Sequence, residues 1–194
     1  MRRFPKGYLG FDHVTRGGDL LAVLDAIIGP DFILGATLAQ KIRKLKPDEW
    51  VPIALLMELY EKLSEKLGPY HMKQVGWTIV KRYHASDVLK RFHSAEEVVY
   101  ALDALYRQGN RGTAIGGWKV TLFTPTRCEM EKTTPHHCGM EEGIVEEMMR
   151  TLGISTTVYQ TDCLRKGSDL CRFVIEPKGS NPPWMKAAVL KPAT

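Results

Sequence analysis

The spacing of the apolar residues changes once along the chain, near Gly112, and this change constrains the fold more than any other feature of the sequence. Before Gly112, apolar residues recur every three or four positions, which is typical of helices. The clearest example starts at Ser94, which forms a capping box with Glu97. After Gly112, apolar and polar residues alternate, which is typical of strands. The sequence therefore predicts a helical half followed by a sheet.

A long helix is predicted in the middle of the first half. Asp48 is placed to cap it, Pro52 suits its first turn, and apolar residues recur at helical spacing from Trp50 onward. The Gly–Pro pair that begins at Gly68 is expected to end this helix.

The second half predicts four strands and one helix. Alternation interrupted at Pro125 predicts strands at Trp118–Thr124 and Arg127–Lys132, and an amphipathic pattern predicts a helix from Cys138 to Gly153. A hairpin is expected to follow. The predicted fold class is α+β, in which an N-terminal helical block precedes a small antiparallel sheet (strand–strand–helix–strand–strand) with helices packed on one face.

A chain of 194 residues suits one domain. We predict a single ligand-binding domain at 1–178, with a helical part at 1–112, a sheet part at 113–178 and a C-terminal tail at 179–194.

The charge pattern and the apolar segments exclude some classes of partner. The net charge of +5 comes from basic residues scattered over helical patterns, so we expect no nucleic-acid partner. The most apolar window, 20–39, is interrupted by Asp25, Pro30 and Asp31, so we expect no membrane span. The N-terminus lacks the apolar stretch of a secretory signal, so a cytoplasmic location is expected.

Four cysteines raise the question of metal binding. In a hairpin that turns at Gly167, Cys163 and Cys171 lie opposite each other on the core face, and Cys138 begins the preceding helix. Such thiols could form a disulfide, bind a metal ion or pack as small buried residues, and Cys128 is a further candidate ligand. A reducing compartment disfavours the disulfide.

Several of these residues together resemble the C-terminal half of the 4-vinyl reductase domain. The resemblance covers about a quarter of the chain. It rests on acidic residues alternating in a strand, a cysteine that starts a helix, and two cysteines separated by seven residues around a glycine: Glu129, Glu131, Cys138, Gly143, Gly153, Asp162, Cys163, Gly167 and Cys171. The wider superfamily includes haem-based gas sensors and Golgi transport-particle subunits.

The resemblance implies a structural zinc site. In the relatives that sense phenolic compounds, the equivalents of Cys138, Cys163 and Cys171 bind zinc together with a glutamate. Gln160 occupies the position of that glutamate, and a neutral amide is a poor zinc ligand. His137, Cys128 or Asp162 could replace it. We predict Cys138, Cys163, Cys171 and His137 as metal ligands, and we rank zinc above haem as the cofactor.

The same resemblance implies an apolar ligand pocket. Relatives use a tryptophan before the first strand and an upstream histidine to bind the ligand hydroxyl. Trp118 matches the tryptophan, and the candidates beside it are His93, His84 and Tyr83. The haem-binding branch uses a Tyr-x-Ser-x-Arg clamp, which this chain lacks, although His71, His84 and His93 are available as axial ligands.

An enzymatic function is disfavoured because no nucleophile elbow, phosphate loop or dinucleotide fingerprint occurs. The acidic cluster of Glu141, Glu142, Glu146 and Glu147 is expected to be a solvated helix surface. We predict a stand-alone sensory domain that holds a small hydrophobic ligand, forms a homodimer and acts on a regulatory protein partner. The alternatives are a haem- or tetrapyrrole-binding protein and a ligand-free adaptor.

Overall fold

The computed structural model describes residues 12–179 and 184–185. The first half is helical and carries three very short strands. In chain order its elements are β1 (Val14–Arg16), α1 (Gly17–Asp25), α2 (Pro30–Leu34), α3 (Ala36–Arg43), β2 (Trp50–Pro52), α4 (Ile53–Ile79), a π-turn (Val80–His84), α5 (Ala85–Arg91), α6 (Ala95–Gly109) and β3 (Asn110–Arg111).

The second half forms an antiparallel sheet with one helix. Its elements are β4 (Trp118–Thr124), β5 (Arg127–Lys132), α7 (Cys138–Thr151), β6 (Thr156–Asp162), a 3₁₀ turn (Leu164–Lys166) and β7 (Cys171–Pro177). The strands are ordered β4-β5-β7-β6. The predicted fold class is confirmed, and β4 and β5 have the predicted bounds.

The four-stranded sheet packs against helices through one face. Buried residues of its strands, such as Met130, Val158 and Phe173, form a core with Val145 of α7 and Val98 of α6. The core of the N-terminal half, built around α4, meets this second core at α7.

Helices α4 and α7 approach each other closely at two glycines. A Cβ atom added to Gly76 would lie 2.0 Å from the carbonyl oxygen of Met140, and one added to Gly143 would lie 2.0 Å from that of Lys73. Only glycine fits at these crossing points, since real Cβ atoms do not approach a carbonyl so closely.

The hairpin register predicted from the cysteines is wrong by one residue. Gln160, rather than Thr161, lies opposite Phe173, and the pairing shifts between Gln160 and Asp162. This irregularity ends β6 at Asp162, so Cys163 lies outside the strand.

The predicted start of the long helix is also wrong. Trp50 lies in β2, which pairs with β1, and the helix begins at Ile53. At Gly68 the backbone leaves the helical conformation (φ 72°, ψ 173°), so the first helical segment of α4 ends at the predicted Gly–Pro pair and a second segment, beginning at Pro69, follows across the kink.

None of the described helices combines the length and apolar character needed to cross a membrane.

Candidate ligand cavity and the adjacent thiol cluster

A cavity of about 440 Å³ lies between the helical half and the sheet half. This volume falls within the range of small-molecule sites. Most of its wall is apolar and comes from α1, α4, the π-turn, α5, α6, β4 and α7: Ala22, Val23, Ile79, Val80, Val88, Phe92, Leu102, Leu105, Trp118, Met140, Ile144, Val145 and Met148. An apolar wall of this kind favours a hydrophobic guest.

The polar residues of the wall include a group that is tied together by hydrogen bonds. Nε2 of His136 lies 3.2 Å from Oδ1 of Asn110, whose amide nitrogen donates to the carbonyl of Tyr106. Nδ1 of His136 lies 4.0 Å from a carboxylate oxygen of Glu141. Asp19 also lines the cavity and accepts a hydrogen bond from the hydroxyl of Thr15.

Burial sets the protonation of these groups. It raises the pKa of Asp19 to about 6 and that of Glu141 to about 7. Burial, together with the positive charge of Lys132, lowers the pKa of His136 to about 3. His136 is therefore neutral at pH 7, whereas Glu141 exchanges its proton near that pH.

A second histidine reaches the wall from the π-turn. His84 ends this turn, and Asp87 and Arg91 of the following helix also line the cavity. His84 is exposed on one side, and desolvation by the protein on its other side lowers its pKa, which favours the neutral form. Turns of this type occur frequently at functional sites.

The structure places two of the predicted ligand-binding residues in the wall and two outside it. Trp118 and His84 line the cavity, whereas His93 and Tyr83 are not among its lining residues. Tyr83 is exposed and donates to Asp25, and the backbone of His93 donates to Glu97 of the capping box. Contact of any of the four with a ligand stays a prediction.

Sequence reasoning missed Asp19, Asn110, His136 and Glu141 as cavity residues. The sequence pattern gave His136 no role in the cavity, and Glu141 was assigned to a solvated surface. Glu141 is instead 4% exposed and forms an ion pair with Lys132. Because Lys132 lies on a different element, the local pattern of the helix gave no sign of this partner.

The three thiols predicted to lie together do so. Sγ of Cys138 lies 3.1 Å from Sγ of Cys171 and 3.6 Å from that of Cys163, and all three are buried and free. Hydrogen bonds within the cluster lower the pKa of Cys163 and raise that of Cys171. The arrangement is compact enough for one soft ion.

The predicted fourth positions lie outside this thiol cluster. His137 does not belong to it, and its buried Nδ1 has no hydrogen-bond partner among the described residues. The amide of Gln160 donates to Glu142 at 2.8 Å, and Cys128 is buried in β5 and absent from the cluster. Metal binding by the predicted ligands stays a prediction.

Lys132 lies between the cavity and the thiol cluster. Its buried ammonium forms an ion pair with Glu141, donates to the carbonyl of His136 at 2.7 Å and contacts Sγ of Cys138 at 3.4 Å. One cation therefore contacts residues of both sites.

No protein-family model and no curated protein sequence matches the chain. Solved structures do. An H-NOX protein from Shewanella oneidensis in the Fe(II)NO ligation state has a TM-score of 0.57 and 12% identity, over 84% of this chain and 99% of that one. An oxygen-binding H-NOX domain related to soluble guanylate cyclases, solved as an oxygen complex, has a TM-score of 0.61 and 16% identity, over 84% and 93%. A structure concerned with haem redox potential and porphyrin distortion has a TM-score of 0.60 and 15% identity, over 88% and 96%.

These similarities correct the predicted cofactor. Zinc was ranked above haem, but the similar structures are described by their iron ligation and haem chemistry, so this ranking is wrong. The narrower resemblance to the 4-vinyl reductase domain stays a prediction. The solved structures show that the chain has the fold of H-NOX domains.

Proposed function

We propose that this chain is a sensor domain that binds haem in the cavity. One observation carries the proposal: His84 stands in the wall of a largely apolar cavity of about 440 Å³, in a fold shared with structures described by their haem iron.

The donor set of the cavity fits haem. A neutral imidazole is the form that ligates iron, and partial desolvation, which lowers the pKa of His84, favours that form. Arg91 also lines the cavity and would provide a cation for a propionate. The sequence contains no Tyr-x-Ser-x-Arg clamp for this role. The apolar residues of α6 and α7 would cover the macrocycle and exclude water.

When bound, haem iron would supply a coordination site for a diatomic gas. The chain's own residues would set the polarity around that site. His136 is neutral and held by Asn110, and Tyr60 lines the same cavity and makes an edge contact with the ring of His136.

Haem titration followed by absorption spectroscopy tests the proposal. We expect the purified protein to bind one haem with a sharp Soret band. His84→Ala is expected to weaken binding and to shift the band, because the iron would lose the imidazole that is proposed to hold it. His93→Ala is the matched control, since His93 is an exposed histidine like His84 but lies outside the cavity wall. A protein that gives no Soret band, or a His84→Ala spectrum identical to that of the unchanged protein, would contradict the proposal.

The polar wall residues favour a second candidate, a small organic molecule with a hydrogen-bonding group such as a phenol. Glu141, His136 and Asn110 would bind its hydroxyl, and the apolar wall would cover its ring. Isothermal titration of the haem-free protein with phenol tests this candidate. Heat of binding that disappears in His136→Ala would support it, and the absence of heat would reject it.

We further propose that the domain works as a homodimer with a regulatory protein partner in the cytoplasm, as the sequence predicts. Sedimentation of the purified chain tests the dimer.

A further inference from the structure

Behind the polar wall of the cavity lies the small sheet β2-β1-β3, and its outer face carries two arginines stacked on a tryptophan. The guanidinium carbon of Arg16 lies 4.0 Å from the ring centre of Trp50, and that of Arg111 lies 3.9 Å from it. Two guanidinium groups cannot both lie this close to one face of an indole without overlapping, so they occupy its two faces. We call these three residues the Arg–Trp–Arg stack.

The two faces of this sheet have different surroundings. Thr15 pairs with Asn110, and both side chains are buried toward the cavity, where Asn110 contacts His136 and Thr15 donates to Asp19. The next residues in the two strands, Arg16 and Arg111, face outward because successive side chains of a strand alternate. The Arg–Trp–Arg stack is therefore one backbone layer away from the cavity.

Neither guanidinium group forms an ion pair with a carboxylate of the described residues, although the charge of Arg16 acts on the buried carboxyl of Asp19. Arg16 donates to the backbone carbonyl of Asp48 at 2.6 Å, and Arg111 is exposed. Within residues 12–179 and 184–185, no carboxylate lies within ion-pair distance of Arg16 or Arg111. The residues outside the described part of the chain contain no Asp or Glu, so they cannot supply a carboxylate side chain.

We propose that the Arg–Trp–Arg stack is a docking site for an acidic peptide segment of a partner protein. An arginine already held flat on an aromatic ring has lost much of its freedom, and its planar group can donate two parallel hydrogen bonds to one carboxylate. Arginine and tryptophan are also the residues that contribute most to protein interfaces. The proposal concerns the outer surface and does not depend on what occupies the cavity.

A nucleic acid fits this surface less well. Binding of a phosphate backbone uses an extended basic stripe, whereas this site offers only two guanidinium groups. An acidic peptide with two separated carboxylates would offer one carboxylate to each guanidinium group.

Fluorescence anisotropy with a labelled eight-residue peptide of alternating glutamate and glycine tests the proposal on the full chain. Arg111→Gln is expected to weaken binding about tenfold, since one charge-assisted pair is lost. Arg43→Gln is the control, because it removes the same charge at an exposed arginine that pairs with Asp31 and lies outside the stack. Peptide binding by this variant should stay within about twofold of that of the unchanged protein. Circular dichroism checks that both variants are folded.

Three results would overturn the proposal. The first is equal weakening by Arg111→Gln and Arg43→Gln, which would indicate net charge alone. The second is tighter binding of an eight-residue thymidylate oligonucleotide than of the peptide, which would indicate a nucleic-acid partner. The third is no binding of the peptide at millimolar concentration. The peptide is to be titrated into the protein both with and without added haem, so failure of peptide binding is distinguishable from failure of haem binding.

Discussion

The ammonium of Lys132 is completely buried and pairs with the carboxylate of Glu141, which lines the cavity. The same ammonium contacts the thiol of Cys138. A buried ion pair costs desolvation energy, and removal of one member leaves the other charge without a partner. Substitution of Lys132 is therefore expected to disturb both the cavity and the thiol cluster.

We expect Lys132→Met to lower the free energy of unfolding by about 3 kcal/mol at pH 7, because Glu141 is left buried without its cation. The double variant Lys132→Met/Glu141→Met should recover at least half of this loss. Urea unfolding measures both. Lys81→Met is the control, since Lys81 is largely exposed in its pair with Glu147 and should cost less than about 1 kcal/mol. If Lys132→Met lowers the free energy of unfolding no more than Lys81→Met does, the ion pair between Lys132 and Glu141 does not stabilise the fold.

The pH dependence of stability should depend on Asp19. Its pKa is raised from 3.8 to about 6 in the folded protein, so the folded state holds a proton that the unfolded state releases. The stabilising effect is complete below about pH 4 and is lost as the pH rises through 6. Between pH 4 and pH 7, the unchanged protein should lose about 2 kcal/mol relative to Asp19→Asn.

Urea unfolding at both pH values tests this prediction. Asp48→Asn, at an exposed aspartate, controls for the change of charge. His136 acts in the opposite direction: its lowered pKa favours stability above about pH 6.5, and that contribution is lost as the pH falls. The comparison with Asp19→Asn removes this contribution because both proteins contain His136. An equal pH dependence of the two proteins would argue against a buried, protonated Asp19.

Replacement of Gly76 by a larger residue should disrupt the packing of α4 against α7. A Cβ atom at this position would overlap the carbonyl oxygen of Met140, so Gly76→Ala should cost about 2 kcal/mol as the helices move apart. Gly153→Ala is the comparison, because Gly153 has open space and carries only the strain of a positive φ, which costs about 1 kcal/mol. Thermal unfolding ranks the two variants, and a smaller effect at Gly76 would contradict the close crossing.

Mild oxidation should join thiols of the cluster and spare Cys128. Sγ of Cys138 and Sγ of Cys171 lie 3.1 Å apart, whereas Cys128 lies elsewhere in the sheet, where burial raises its pKa to about 12. Diamide, which accepts the two electrons, is expected to give a Cys138–Cys171 disulfide. Peptide mapping by mass spectrometry identifies the product, and a disulfide that contains Cys128 would contradict the observed cluster.

The sequence predicted those parts of the fold that depend on local patterns. β4 and β5 have the predicted bounds because alternation and Pro125 mark them directly. Trp50 was assigned to a helix because its spacing fits one, but β2 has three residues and exists through pairing with β1, which is distant in sequence. Strands this short carry almost no local signal.

The candidate site was predicted less completely for the same reason. Seven residues separate Cys163 from Cys171, and the hairpin between them placed the two thiols together as expected, although the pairing register was wrong by one. Burial of Glu141 depends on Lys132, and the position of His136 depends on Asn110. Neither partner lies on the same element, so only the tertiary structure brings the cavity residues together.

The π-turn at Val80–His84 has a consequence for variation in chain length. A wider turn holds one more residue than the α-helical turns beside it, and each residue rotates a helix by about 100°. Deletion of one residue between Val80 and His84 would let the segment continue as a regular α-helix. His84 would then rotate out of the cavity wall, and every side chain of α5 would point in a different direction. At this position a one-residue gap would remove the histidine from the cavity as effectively as a substitution.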